Sequence, residues 1–255
     1  TTGLKEVDYF LTDRYIALNS DEDYLFTEKL IKLQNSQFCY KPWDDIKKAK
    51  VTPCMERGYI TFGCFNKYAK ITDAVIMAWK NILANVKNSK LVLKSMIYCD
   101  AKALETIKIR FITMGIDIGR IEFRPSTSNY LDELLDIDII LDTFPYPGGG
   151  MTCDALYMGV PVITLEGERH GARFASSILS NAGLGELIAK NSDMYIERAI
   201  ALAGDYELLN ILHKNLRTML KVSPIMDANA YMTEIENIYQ IIMAKKWSEE
   251  NGTSK

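Results

Sequence analysis

With two histidines and neither a CxxC pair nor a His/Cys ligand spacing, this 255-residue chain lacks the material of a structural metal site. Its five cysteines (39, 54, 64, 99 and 153) are odd in number, which suits buried thiols in a reducing compartment better than a disulfide framework. Charge of one sign is also missing. Thirty basic residues face 33 acidic ones, a net of -3, so no overall field draws the chain to nucleic acid or an anionic membrane, and any anion must be held locally. No apolar run approaches the ~18 residues of a membrane span, and no charged, apolar, small-residue leader is present. The expectation is a soluble, cytoplasmic protein with neither nucleic acid nor membrane as partner. Neither GxGxxG nor a P-loop Gly-Lys-Ser/Thr occurs, so any phosphate site must be built in another way.

What the chain does have is apolar residues, 48% of the total and ample for a large core. From Tyr59 onward, short apolar runs alternate with amphipathic segments. "YITFGCF" reads as a strand, and "TDAVIMAWKNILANV" as a helix with Val75, Ile76, Trp79, Ile82, Leu83 and Val86 on one face and Thr72 as its cap. "KLVLKSM", "RIEFRP", "DIILDTF" and "VPVITL" follow as strands, spaced by helices "DAKALETIKIRFITMG" (closed by Gly115), "NYLDELL" and "TCDALYMG". Strands of this length, apolar on both faces and separated by helices, specify an α/β fold with a doubly wound parallel sheet. After Thr164 helices dominate, at 171–182, 192–203, 206–220 and Asp227 to about Trp247, with Pro224 breaking the last two apart. Before Tyr59, "DYLFTEKLIKL" (23–33) reads as an amphipathic helix, "SQFCYKP" as a strand, and the polar stretch 43–58 as a connection. The opening "TTGLKEVDYF" has no methionine, so the chain is expected to be part of a longer one.

Three consecutive glycines, Gly148 to Gly150, stand between the strand ending near Asp142 and the helix holding Asp154. In open α/β sheets this carboxyl edge is where ligands bind and where helix N-termini present free N–H groups. Glycines there either make a tight turn or let a diphosphate approach the backbone, with the amides of Met151 and Thr152 and the Thr152 hydroxyl as donors. Lys67 and Lys70, in the loop "CFNKYAKIT", add point charges on the same edge, or are solvated loop lysines. The "DID" at 136–138 imitates a metal-binding DxD, but Asp136 ends a helix and Asp138 opens an apolar strand, which favours a structural role and no metal. His170 is either a catalytic base or a helix-start residue, and Arg173 either an anchor or a phosphate contact.

The runs "FNKYAKIT", "AWKNIL", "RIEF", "DIILDTFPYPGGGMTCDALYMGVPVITLEGERHGARFASSIL" and "SPIMDA" resemble the catalytic region of the O-linked N-acetylglucosamine transferases, particularly their bacterial relatives. "YFLTDRYIAL" and "YLFTEKLIKL" resemble the end of that family's first catalytic half. The resemblance implies a GT-B arrangement of two Rossmann-like halves. Residues 1–45 would end the first half, 46–58 connect, and 59–222 form the nucleotide-sugar-binding half. Residues 223–247 would be a helix crossing back, and 248–255 a disordered tail.

The implied activity is transfer of N-acetylglucosamine, or glucose, from a UDP-sugar to a protein or peptide acceptor at Ser/Thr. No cofactor or metal is implied beyond that donor substrate, and the upstream part of the same chain, with a repeat or other acceptor-binding domain, is the implied partner. A protein N-glucosyltransferase and a catalytically inactive nucleotide-sugar-binding module remain as alternatives. By the same resemblance Lys70 meets the donor diphosphate and stabilises the leaving group, and Lys67 neighbours it. Thr127 to Tyr130 hold the uracil, with Tyr130 stacking where relatives often place a histidine. Gly149, Gly150 and Met151 stand where relatives carry hydroxyl side chains on the phosphates, so that only Thr152 keeps a hydroxyl nearby. Asp154 matches the acidic residue on the ribose, and His170 matches a histidine that relatives often carry.

Overall fold

The computed structural model describes residues 1–17, 24–42, 46 and 51–252. The main body is a six-stranded, all-parallel sheet in the order β5-β4-β3-β6-β7-β8. Its strands are β3 (Ile60–Cys64), β4 (Ser89–Lys94), β5 (Ile121–Arg124), β6 (Ile139–Leu141), β7 (Val162–Leu165) and β8 (Ile188–Ala189). Chain order runs outward from β3 in one direction and then from β6 in the other, so the topology reverses between β3 and β6. Strand β3 is buried along its whole length, as strands covered on both faces must be.

The helices form where their apolar faces predict. In α2 (Asp73–Asn85) the Thr72 hydroxyl accepts the Val75 amide, and Val75, Ile76, Trp79, Ile82 and Leu83 are buried. Helix α3 (Ala101–Thr113) is capped by Asp100, α4 spans Tyr130–Leu134, and α5 spans Gly150–Met158. The expected helix 171–182 divides into a tight turn at His170–Ala172 and α6 (Phe174–Asn181). Helices α7 (Ser192–Gly204) and α8 (Tyr206–Lys221) follow as expected. The last, α9 (Ala228–Gly252), runs past Trp247 into the stretch expected to be disordered, and residues 253–255 lie outside the described ones. The core is tied across layers by Trp79, whose indole N–H donates to the Tyr195 hydroxyl (3.3 Å), which in turn donates to the Asp142 carbonyl (2.8 Å).

The first 42 residues depart from the sequence reading. Residue 23 lies outside the described residues, and the described residues 24–33 hold no α-helix: Lys29–Leu33 is a strand, β2, paired in parallel with β1 (Tyr9–Asp13). The apolar spacing fits either period over so short a run, and five consecutive backbone pairs with β1 decide for the strand. "SQFCYKP" forms no strand. Of the connection at 46–58, residues 47–50 lie outside the described ones, while Pro53–Arg57 is a short helix, α1, that packs on β3.

This β1–β2 pair is fastened to the main body through buried polar groups. Asp13, fully buried, accepts the amides of Tyr15 and Ile16 on Oδ1 (both 2.9 Å) and the Gln37 amide (2.9 Å) and Ser177 hydroxyl (2.7 Å) on Oδ2. Arg173, also buried, donates to the carbonyls of Ile16 (2.8 Å) and Gly167 (2.9 Å) and to that of Glu168. Removing the Asp13 carboxylate orphans donors from three segments at once. Asp13→Ala is therefore expected to cost roughly 2–4 kcal/mol in urea unfolding. Asp13→Asn, which keeps one acceptor, should cost clearly less, and equal losses would refute the hydrogen-bonding account.

Candidate functional site

The carboxyl ends of β3, β4, β5 and β6 open into a cleft of about 580 Å³. Its walls come from Phe65 and Lys67 after β3, Lys94 to Met96 at the end of β4, Ser126 and Thr127 after β5, Tyr130 at the start of α4, and Met151 and Asp154 on α5. It therefore sits beside the topological reversal, where the loops diverge and leave room for a ligand. Five residues singled out from sequence meet here: Lys67, Thr127, Tyr130, Met151 and Asp154.

Asp154 is buried, and each carboxylate oxygen accepts a phenol: Oδ1 from Tyr40 and Oδ2 from Tyr130, both at 2.8 Å. Burial and the bond to Asp154 push the Tyr130 phenol up to about 12, and the same causes raise Tyr40. Both therefore stay protonated donors at neutral pH. On the opposite wall the buried Lys94 ammonium bonds the Pro125 carbonyl (2.6 Å), the Thr127 hydroxyl (2.9 Å) and Glu133 (2.6 Å). Burial would raise the Glu133 carboxyl, but its bonds from Lys94 and Thr127 outweigh this and hold it below the ordinary range. Thr127 is thus fixed by its neighbours, although its segment is exposed.

The glycine loop separates into two kinds of position. A Cβ on Gly148 would lie 2.8 Å from Thr152 Oγ1 and 3.4 Å from Asp142 Oδ1, so this glycine is demanded by the protein's own packing. A Cβ on Gly149 would meet only Phe38, at 3.9 Å, and one on Gly150 nothing within 4 Å. None of the three has a positive φ. A strained turn therefore does not explain Gly149 and Gly150, and their bareness leaves backbone open toward the outside. Helix α5 begins there without a side-chain cap, but the Thr152 amide, a phosphate donor in the sequence reading, already donates to the Gly149 carbonyl (2.9 Å), as the Cys153 amide does (3.2 Å), which leaves the earlier amides of Gly150 and Met151 for a ligand or water.

The loop is shaped by Asp142, which is 1% exposed. Its Oδ1 accepts the Asn66 side-chain amide (2.8 Å) and the backbone amides of Gly148 (2.8 Å) and Thr143 (2.9 Å), while Oδ2 accepts the Thr164 hydroxyl (2.8 Å). Burial raises the Asp142 carboxyl above the ordinary range, against the pull of those donors. Lys70 lies beside this loop rather than on the cleft wall, its ammonium donating to the Pro147 carbonyl at 2.7 Å. Thr152 is buried, with its hydroxyl under Gly148.

His170 and Arg173 do not join the cleft. His170 Nε2 is 2.9 Å from the Thr12 hydroxyl, and its ring packs edge-on against Phe10, Phe26 and Phe174. The helix-start reading of His170 and the anchor reading of Arg173 both fit this placement. In the "DID", Asp138 holds the amides of Cys54 (2.7 Å) and Thr61 (2.8 Å), and Asp136 pairs with Arg57 and Arg124. Sequence reading missed Lys94, Tyr40 and the role of Asp142. Lys94 and Asp142 had a signal, as charges that follow apolar runs at the strand ends where ligands bind. Tyr40 had none, because its partner lies 114 positions away.

The sequence model of glycosyl transferase family 41 matches residues 49–235. The chain is 37% identical over 243 residues to the probable UDP-N-acetylglucosamine–peptide N-acetylglucosaminyltransferase SPINDLY of Eustoma exaltatum subsp. russellianum, covering 94% of this chain and 26% of that protein. It is 36% identical over 252 residues to SPINDLY of Arabidopsis thaliana, covering 96% and 27%. A mutant O-GlcNAc transferase of Thermobaculum terrenum superposes over 100% of this chain and 48% of its own, with a TM-score of 0.88 and 30% identity. The chain thus spans about a quarter of the length of the curated relatives it matches.

Asp142→Ala removes the acceptor of four donors and is expected to cost about 3 kcal/mol or more. Asp142→Asn keeps an acceptor for the amides, and the Thr164 hydroxyl can turn to accept. Because the folded carboxyl is raised, its contribution is most favourable below the ordinary carboxylate pKa and declines as pH rises through the raised value. Urea titrations at a series of pH values should show Asp142→Asn gaining on the wild type as pH rises through that window. A pH-independent difference would refute the desolvation account.

Proposed function

Since the chain belongs to glycosyl transferase family 41, we propose that it carries the donor-binding part of an inverting glycosyltransferase. The enzyme moves N-acetylglucosamine, or glucose, from a UDP-sugar to Ser/Thr of a protein acceptor. The observation that carries this reading is the cleft itself, in which Lys67, Thr127, Tyr130, Met151 and Asp154 converge at the carboxyl edge of a parallel sheet. Its α/β fold is of the GT-B type.

In this reading the uracil lies by Thr127–Tyr130, with Asp154 on the ribose. The diphosphate faces the open backbone of Gly149 and Gly150 and the amide of Met151, the Thr152 amide being already bonded to the Gly149 carbonyl. Lys70, with Lys67 beside it, supplies positive charge as the UDP leaving group departs, and the positive end of α5 adds to it. That is electrostatic catalysis by groups already in place before reaction. The general base and the acceptor contacts come from the upstream part of the chain, which also supplies its acceptor-binding domain. Five cysteines, all unpaired, support a cytoplasmic setting; the Thermobaculum terrenum match, at 30% identity, supports a bacterial one less than the 36–37% identity to plant proteins weighs against it.

The glycine loop supplies the test. Gly150→Ala meets no atom within 4 Å and needs no positive φ, so the melting temperature should hold or rise. UDP affinity measured by calorimetry should nevertheless fall by about tenfold or more, as the Cβ displaces the phosphate from the backbone. Met151→Thr restores a hydroxyl and should tighten UDP by about 0.5–1.5 kcal/mol. Normal UDP binding by Gly150→Ala would exclude the diphosphate from this loop.

A further inference from the structure

Each oxygen of Asp154 holds a phenol donor before any ligand arrives, and the two donors are not equivalent. Tyr40 does not line the cleft. Its amide donates to the Ile225 carbonyl (2.8 Å), and its ring lies 6.1 Å from that of Tyr157, which itself carries the Arg217 guanidinium at 4.5 Å. Backbone and ring both fasten it. Tyr130 does line the cleft, and it opens a five-residue helix that has no side-chain cap and follows five exposed residues, 125–129. A carboxylate oxygen can accept a second donor, but Asp154 is only 8% exposed, and the donor that stands between its Oδ2 and the cleft is Tyr130.

We infer that Tyr130 is an exchangeable donor and Tyr40 a permanent one: Tyr130 holds Asp154 Oδ2 in the empty cleft and yields it to a hydroxyl of the ligand's ribose, while Tyr40 keeps Oδ1 and orients the carboxylate. The inference rests on the nucleotide-sugar reading above and adds the way that site is kept when empty. A buried carboxylate without donors would be costly, and Tyr130 removes that cost. The exchange swaps one neutral hydroxyl for another on the same charged acceptor, so the ribose gains little net affinity from it. The bond made in the complex is offset by the bond broken in the free protein. Tyr130 thereby tempers nucleotide affinity, which favours release of the UDP product, and its ring remains able to stack on a base. Tyr40 is a positioning residue that acts only through Asp154.

Two phenylalanine variants and two nucleotides test this. Calorimetric titration of wild type, Tyr130→Phe and Tyr40→Phe with UDP and with 2′,3′-dideoxy-UDP isolates the ribose hydroxyls, and the Phe ring preserves stacking. Tyr130→Phe should bind UDP about fivefold tighter, because the ribose now meets an acceptor lacking a competitor, and should bind the dideoxy nucleotide as wild type does. Tyr40→Phe should bind UDP about fivefold weaker, again with the dideoxy nucleotide unaffected. Weaker or unchanged UDP binding by Tyr130→Phe, with wild type binding normally, overturns the exchange alone. Equal tightening of both nucleotides overturns it too, since that marks simple widening of the cleft. An equal loss of both nucleotides in Tyr40→Phe reduces Tyr40 to structural support. If wild type binds neither nucleotide, the exchange falls together with the nucleotide-sugar reading.

Discussion

A carboxylate kept almost wholly from water, Asp142, is the constraint on which the site depends. Its donors come from four places: Asn66 after β3, Thr143 beside it, Gly148 in the glycine loop and Thr164 on β7. The loops that diverge from the paired strands β3 and β6 at the topological reversal are thus tied together just above the sheet. Burying a charge is unfavourable, and these donors offset that cost only while all of them stay in place. The same bond that settles the carboxylate sets the position of Gly148, and with it the start of α5. Lys70 holds the other side of the loop through the Pro147 carbonyl.

The first 42 residues contribute in a comparable way from outside the sheet. Asp13 and Arg173 bind backbone groups on both sides of the junction, and an aromatic group of Phe10, Phe26, His170 and Phe174 fills the space between. Tyr40 belongs to this segment yet reaches Asp154 in the cleft. The orientation of a side chain on α5 is therefore set in part by a stretch that contributes no strand to the main sheet. The cost falls on sequence legibility, because such a contact leaves no local pattern.

From Tyr59 to Trp247 the sequence pattern and the fold agree closely, and the reason is physical. Strands apolar on both faces and helices with one apolar face admit few arrangements other than a covered parallel sheet, and caps such as Thr72 and Asp100 mark the boundaries. Lys29–Leu33 was not legible, because its five residues fit either period and only β1 decides between them. At the site, Gly148 to Gly150 looked like one motif, but their reasons differ: Gly148 answers to Thr152 and Asp142, the other two to open space. Lys94 carries a signal in its place at the end of a strand, but only the folded chain shows its charge turned toward Thr127 and Glu133.

The chain departs from the hydroxyl-rich pattern it resembles at Gly149, Gly150 and Met151, and the structure suggests what compensates. Hydroxyl side chains can adjust to a phosphate by rotating, whereas backbone amides cannot. A loop that relies on amides must be held in one place before the ligand arrives, since reorganisation at the moment of binding would cancel the gain. Asp142 and Asn66 beneath the loop, Lys70 beside it and the buried Thr152 under Gly148 supply that rigidity. In the proposed donor site, the missing hydroxyls and the crowded polar support below them are two sides of one arrangement, in which binding of the diphosphate would fall to a backbone held in place from underneath.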